Sequence, residues 1–222
     1  MLMVMRSGKQ RFAVAGVLII IVIIGVSVAL LNIGKRSSSS LRWNVQVGDN
    51  FVYVVETSHS YSDPDFNTSI FNHLTALNHT RIRMQITSLP SIPPMIDGDI
   101  FLAEVINPVK VYCTFDNGSE LDPDSRDGLI QMLSSCLLPV GDWDLLDWCF
   151  VDDVSNAYYP GIYVSELLTD HFRIGYELWP GDAIVRWSAN VTLENGVPLE
   201  IFSENNSFSV GTYSSFQLTI RL

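Results

Sequence analysis

The chain has 222 residues, enough for one sizeable domain, with 13 basic and 24 acidic side chains. Residues 1–36 hold five of the basic residues (Arg6, Lys9, Arg11, Lys35, Arg36) and no acidic one, so the rest of the chain sets eight basic against 24 acidic residues, a formal charge of −16. Such a domain repels phosphate backbones, which excludes nucleic acid as a partner, and it stands off an anionic lipid surface.

Residues 1–11 form a short basic tail. From Phe12 to Gly34 no residue is charged, and Ile, Val and Leu dominate. At the helical rise this stretch spans about 34 Å, enough for a hydrocarbon core of about 30 Å. It is longer than the apolar region of a cleavable signal peptide, and "SVALLNIGK" offers no good A-x-A cleavage pattern. Arg6, Lys9, Arg11 and the terminal amine precede it, and Lys35 and Arg36 follow, so the charge bias favours a cytoplasmic N-terminus. The expectation is a single-pass plasma-membrane anchor over 12–34, a polar tether over 35–40 and an extracytoplasmic domain over 41–222.

The domain opens with "LRWNVQVGDNFVYVVETS", which reads as strand, Gly-Asp turn, strand. "RIRMQITS" alternates, with Ile82, Met84 and Ile86 to one side and Arg81, Arg83 and Gln85 to the other. "DIFLAEVINPVKVYCTF" predicts one or two strands, ended by the turn "DNGS". The period then changes. Leu129, Met132, Leu133, Cys136 and Leu137 fall at helical spacing, with Asp124 or Ser125 as the expected N-cap. A second helix is expected over "DWDLLDWCFVDD", with Asp142 as its cap, Leu145, Trp148 and Cys149 as one apolar stripe, and Trp143, Leu146 and Phe150 as its neighbour. That assignment makes Trp148 a buried anchor and leaves Asp144 and Asp147 on the wet face. From Glu166 the β pattern returns. "AIVRWSANVTL", the Asn195-Gly196 turn and "VPLEIFS" form a hairpin, and "SSFQLTIRL" closes the chain.

The order predicts an α+β domain: an antiparallel β-sheet, with a half-barrel as its curved variant, and a central helical pair over 125–152 packed on one face.

Five N-x-S/T sequons lie beyond the anchor, at Asn67, Asn78, Asn117, Asn190 and Asn205, and all five are read as glycosylation sites. In "RWSANVTL", Trp187, Ala189 and Val191 share one strand face while Arg186, Ser188 and Asn190 share the other, so a glycan on Asn190 points into water. Of the three cysteines, Cys136 and Cys149 close the shortest loop and are the favoured disulfide pair. A hairpin of helices offsets them axially by about 7 Å, which is unfavourable, and Cys113 as the alternative partner stays open.

Catalytic and metal-binding signals are weak. In "DNGSELDPDSRDG", taking Asp122 as the first calcium-loop position puts Arg126 at the fifth and Leu133 where a bidentate Glu belongs, so turn and capping duty explains it better. The chain has no H-E-x-x-H, no G-x-S-x-G and no phosphate-binding glycine loop. No catalytic residue, metal ligand or cofactor is assigned.

Trp43 to Tyr53, "WNVQVGDNFVY", resembles the W-x-V-x-x-G-D-x-F-x-Y opening of uncharacterised archaeal surface proteins with one N-terminal membrane helix. "ANVTLENGVPLEIF" is similar to the strand–turn–strand of lipoprotein-carrier-like half-barrels. The resemblance implies a surface-presentation or binding module without a known activity; the acidic helical segment departs from the carrier pattern. The leading expectation is a non-catalytic, membrane-tethered binding or structural module of the cell surface, with a surface protein or apolar ligand as its partner. The first rival is a carrier with an apolar groove lined by residues such as Phe51, Met84, Trp187 and Phe216. The second is a hydrolase using scattered carboxylates.

Overall fold

The computed structural model describes residues 40–61, 72–94, 96, 101–155, 161–209 and 212–222. The expected anchor at 12–34 and the sequon residue Asn67 lie outside the described residues, and among the described ones no helix is long and apolar enough to cross a membrane. The strands are β1 (Asn50–Tyr61), β2 (Thr80–Ser88), β3 (Lys110–Phe115), β4 (Gly161–Leu167), β5 (His171–Leu178), β6 (Ala183–Thr192), β7 (Pro198–Ser209) and β8 (Thr212–Arg221). They form one open antiparallel sheet in the order β3-β2-β1-β8-β7-β6-β5-β4. Among the described residues the α-helices are few: α1 (Asn72–Thr75), α2 (Pro123–Ser135) and α3 (Trp143–Ser155).

Register gives the sheet an inner and an outer face. Across five strands, Val55, Ile220, Ile201, Ala189 and Ile174 stand opposite one another, and none is more than 1 % exposed. Burying each of the larger members removes apolar surface worth about 1.5–3 kcal/mol. Tyr53 pairs with Ile82, and Met84 with Cys113, on the same face. The two longer helices cover it. Leu129, Leu133, Cys136 and Leu137 from α2 and its C-terminus join Leu146 and Cys149 of α3 in one core with the sheet. The Trp143 ring meets that of Phe172 at 5.1 Å between centroids, tilted by 36°.

Local chemistry fixes where these elements begin, and it moves several boundaries. The α2 N-cap is Asp122, not Asp124 or Ser125. Its carboxylate accepts the Ser125 amide hydrogen, because Pro123 at the first helical turn starts the helix earlier. Ser125 is instead buried and donates its hydroxyl to the His73 carbonyl. Residues 41–47 are not a sheet strand. They follow an irregular path, joined to the rest by one bridge between Arg42 and Val140, with Leu41 and Val45 buried. Phe101–Ile106 forms a turn of π-helix rather than a strand, leaving β3 as the single strand of its segment.

The face of α3 also differs from expectation. Leu146 and Cys149 point into the core, whereas Trp148 is 37 % exposed. The buried face takes one residue from each expected stripe, Leu146 from that of Trp143 and Cys149 from that of Trp148, and Trp143 and Leu145 pack half-buried against the core. The expected Cys136–Cys149 disulfide is not formed. Cys113, Cys136 and Cys149 are buried with no disulfide between them and pack as small groups in the core. Burial pushes the thiols of Cys113 and Cys136 up to about 12, far from the thiolate that exchange chemistry requires.

The packing predicts an order of mutational costs. Leu146→Ala should lower stability by about 2–5 kcal/mol, and Trp148→Ala by about half of that or less. Urea unfolding of the two variants checks it; a larger loss at Trp148 would reverse the assigned face.

Candidate functional site

Strand alternation lays the outer face out in rows running across the strands. In one row Glu177, Arg186, Glu204, Gln217 and Ser58 stand opposite in turn on β5, β6, β7, β8 and β1. They are joined throughout. Arg186 donates to Glu177 at 2.7 Å and to Glu204 at 2.7 Å, Gln217 donates to Glu204 at 2.8 Å, and Ser58 donates to Gln217 at 3.3 Å. A second row runs through Arg173, Asn190, Glu200 and Arg221, with Arg221 donating to Glu200 at 2.9 Å and also holding Glu56.

Between them runs a row of different chemistry: Val164, Gly175, Ser188 and Phe202. Here the outer face carries a half-open depression of about 210 Å³, lined by Ile162, Val164, Arg173, Glu177, Arg186 and Phe202 with Gly175 and Ser188 beneath. Gly175 is required by the backbone. A Cβ there would lie 2.6 Å from the Trp187 carbonyl oxygen, so β5 and β6 approach each other as only glycine allows. A glycine inside the alternating run "HFRIGYEL" was the sequence signal for this feature.

The electrostatics of the rim are uneven. The Arg186 guanidinium, hydrogen-bonded to Glu177, holds that carboxyl below its ordinary range. Burial pushes Glu204 upward, but hydrogen bonds from Gln217 and Arg186 outweigh it and leave its pKa lowered. Arg186, bonded to both carboxylates, is raised further. Arg173 differs. Arg81, Arg83, Arg126, Arg186 and Arg221 each have a carboxylate within 4.0 Å, whereas among the described residues Arg42 and Arg173 have none, and Arg42 donates instead to Asn44 Oδ1.

The sequon asparagines occupy unlike settings. Asn117 is exposed in a turn, and its Oδ1 accepts from both the amide and the hydroxyl of Ser119, which leaves its Nδ2 unengaged. Asn78 is also exposed in a turn, and its Oδ1 accepts from the Thr57 amide. Asn190 is on the outer face, as its parity requires, but half-buried: its Nδ2 turns to Glu200 at 3.5 Å and its Oδ1 is buried without a partner. Asn205 lies on the inner face, opposite Val185 and the buried Phe216.

The acidic segments serve structure. Asp116 pairs with Arg81 and Arg83, Glu120 accepts from the Tyr112 hydroxyl, and Asp127 meets Arg126. Asp142 caps α3 through the Leu145 amide, Asp144 is exposed, and Asp147 has one buried oxygen without a partner. Among the described residues no group of three or more His, Cys, Asp or Glu side chains is placed to hold a metal ion. Of the positions of an apolar groove, Met84 and Phe216 belong to the packed core, while Phe51 and Trp187 are half-buried against it. The Tyr53 hydroxyl is sealed in that core without a partner, its pKa raised by burial and then by Cys136 and Cys113 beside it.

No family model, no curated protein and no solved structure matches the chain.

Two predictions follow from these settings. Site-resolved mass spectrometry of protein from a glycosylating host should find Asn78 and Asn117 occupied and Asn190 and Asn205 largely bare; the opposite pattern would show that the outer-face register or these turns are wrong. The Glu177–Arg186–Glu204 row should also mark the acid limb of stability. Both carboxyl pKa values are lowered on folding, so the contribution is present above the unfolded value near 4.3 and disappears as pH falls through the folded values. Arg186→Met should therefore lower stability at pH 7 and flatten its dependence on pH across that window, as read by denaturant midpoints from pH 3 to 7.

Proposed function

We propose that this chain is a membrane-tethered, glycosylated, non-catalytic binding or structural module held outside the cell, with residues 12–34 as an uncleaved anchor and its N-terminus in the cytoplasm. The observation that carries the reading is the conjunction of a charge-free 23-residue segment with sequon asparagines beyond it, at Asn78 and Asn117, that sit in exposed turns. A glycan needs both an outward-facing domain and an accessible amide nitrogen. The W-x-V-x-x-G-D-x-F-x-Y opening, which resembles that of archaeal surface proteins, is read in the same sense, and the open sheet with helices on one face suits the half-barrel variant of the fold.

Two rival readings have less support. A carrier needs an empty apolar groove, and the residues that would line it lie in the hydrophobic core or pack against it. A carboxylate hydrolase needs a desolvated acidic pair facing a cleft, and the carboxylates of 116–127 are taken up by arginines, a tyrosine and a helix cap. The domain's formal charge of −16 fits a soluble surface that does not lie down on anionic lipid.

Protease treatment of intact cells expressing the full chain should remove sequence after Arg36 and spare an N-terminal tag. A soluble mature form beginning near residue 30, or a protected C-terminal domain, would overturn the proposal.

A further inference from the structure

We infer that the outer-face depression above Gly175 is a binding site for a small amphipathic carboxylate, with Arg173 as its anion-binding group. This names a ligand class for the binding module proposed above and rests on that reading.

The argument begins with the arginine. In a domain with 24 acidic and eight basic residues, an arginine without a carboxylate partner is unexpected. Glu166 stands directly opposite Arg173 on β4, yet no ion pair within 4.0 Å forms. The other acids nearby are engaged: Glu177 accepts from Arg186 and Trp179, and Glu200 accepts from Arg221. The guanidinium is exposed, lines the depression and presents a planar fork of donors, the geometry that matches a carboxylate.

The rest of the site supplies a body to the ligand. Ile162 and Val164 form one wall and Phe202 another, with the Ser188 hydroxyl between them on the floor. Glu177, already bonded to Arg186, closes the far side without needing a cation. An apolar cavity of about 150 Å³ accommodates benzene. The depression here is about 210 Å³, so a single ring or short branched chain fits with one carboxylate turned to Arg173. A larger or dianionic ligand would meet the carboxylates of the two flanking rows.

The probes are 4-fluorobenzoate and its neutral isostere 4-fluorobenzamide, read by fluorine NMR on the full chain in detergent with empty micelles subtracted. Saturable binding of the benzoate is expected with a Kd on the order of 1 mM, as suits a ligand this small. The amide should bind at least tenfold more weakly. Arg173→Gln should weaken the benzoate at least tenfold and leave the amide unchanged, and Phe202→Ala should weaken both. Both substitutions are at residues outside the inner core, and an unchanged melting temperature for Arg173→Gln verifies that the loss is local. No saturable benzoate binding, equal binding of benzoate and amide, or wild-type affinity in Arg173→Gln would each overturn the inference. None of these outcomes depends on where the chain is anchored, so failure here and failure of the tethered-module reading are separately visible.

Discussion

The arrangement of sheet and helices depends on one backbone junction. The Leu138 amide donates to the Gly196 carbonyl at 2.9 Å, and Arg42 and Val140 exchange two backbone hydrogen bonds of 2.9 and 2.8 Å. Three segments distant in sequence thus meet: the entering chain, the link between α2 and α3, and the β6–β7 turn. Asn44 adds a hydrogen bond to the Glu194 carbonyl at 2.7 Å. The approach is so close that a Cβ at Gly196 would lie 1.7 Å from the Leu138 oxygen, and the residue also has φ of +74°. Only glycine meets both conditions. Without this contact the helical pair would have no fixed position over the inner face, and the stripe of α3 that faces the sheet would not be determined.

From that junction the two faces of the sheet diverge in chemistry. The inner face carries a continuous apolar row closed by helices, and it spans β1 and the four strands from β8 to β5 without regard to where they lie in the sequence. The outer face is laced by hydrogen-bonded charges. Exposed ion pairs contribute little individually, but here Arg186 and Arg221 each bridge two carboxylates on different strands, so these pairs also hold register. The depression occurs where an apolar row passes between two such charged rows, and where β5 and β6 come closest. Its apolar wall and its unpaired arginine therefore have a common origin in the register of β4 through β7.

Patterns with a fixed local period were legible in the sequence. Ile82, Met84 and Ile86 alternate because successive strand residues face opposite ways, and all three are buried as expected. Leu129, Leu133, Cys136 and Leu137 repeat at helical spacing and likewise form a buried stripe. The opposition of Asn190 to Ala189 and Val191 followed from the same rule. In contrast, residues 41–47 alternate as well but have no strand beside them, so their pattern specified burial of Leu41 and Val45 without specifying a strand.

The sequence by itself therefore determined the charge asymmetry, the uncharged span at 12–34, the sequons, and the faces of strands and helices whose period is local. Only the tertiary structure decided that α3 buries Leu146 and Cys149, one from each expected stripe, that Asn205 faces inward, that the cysteines remain thiols, and that Arg173 stands without a carboxylate beside Phe202. The reason is physical. Alternation and helical period are properties of neighbouring residues, whereas pairing Val164 with Gly175, Gly175 with Ser188, and Ser188 with Phe202 joins positions on four strands whose alignment is set by burial of the opposite face.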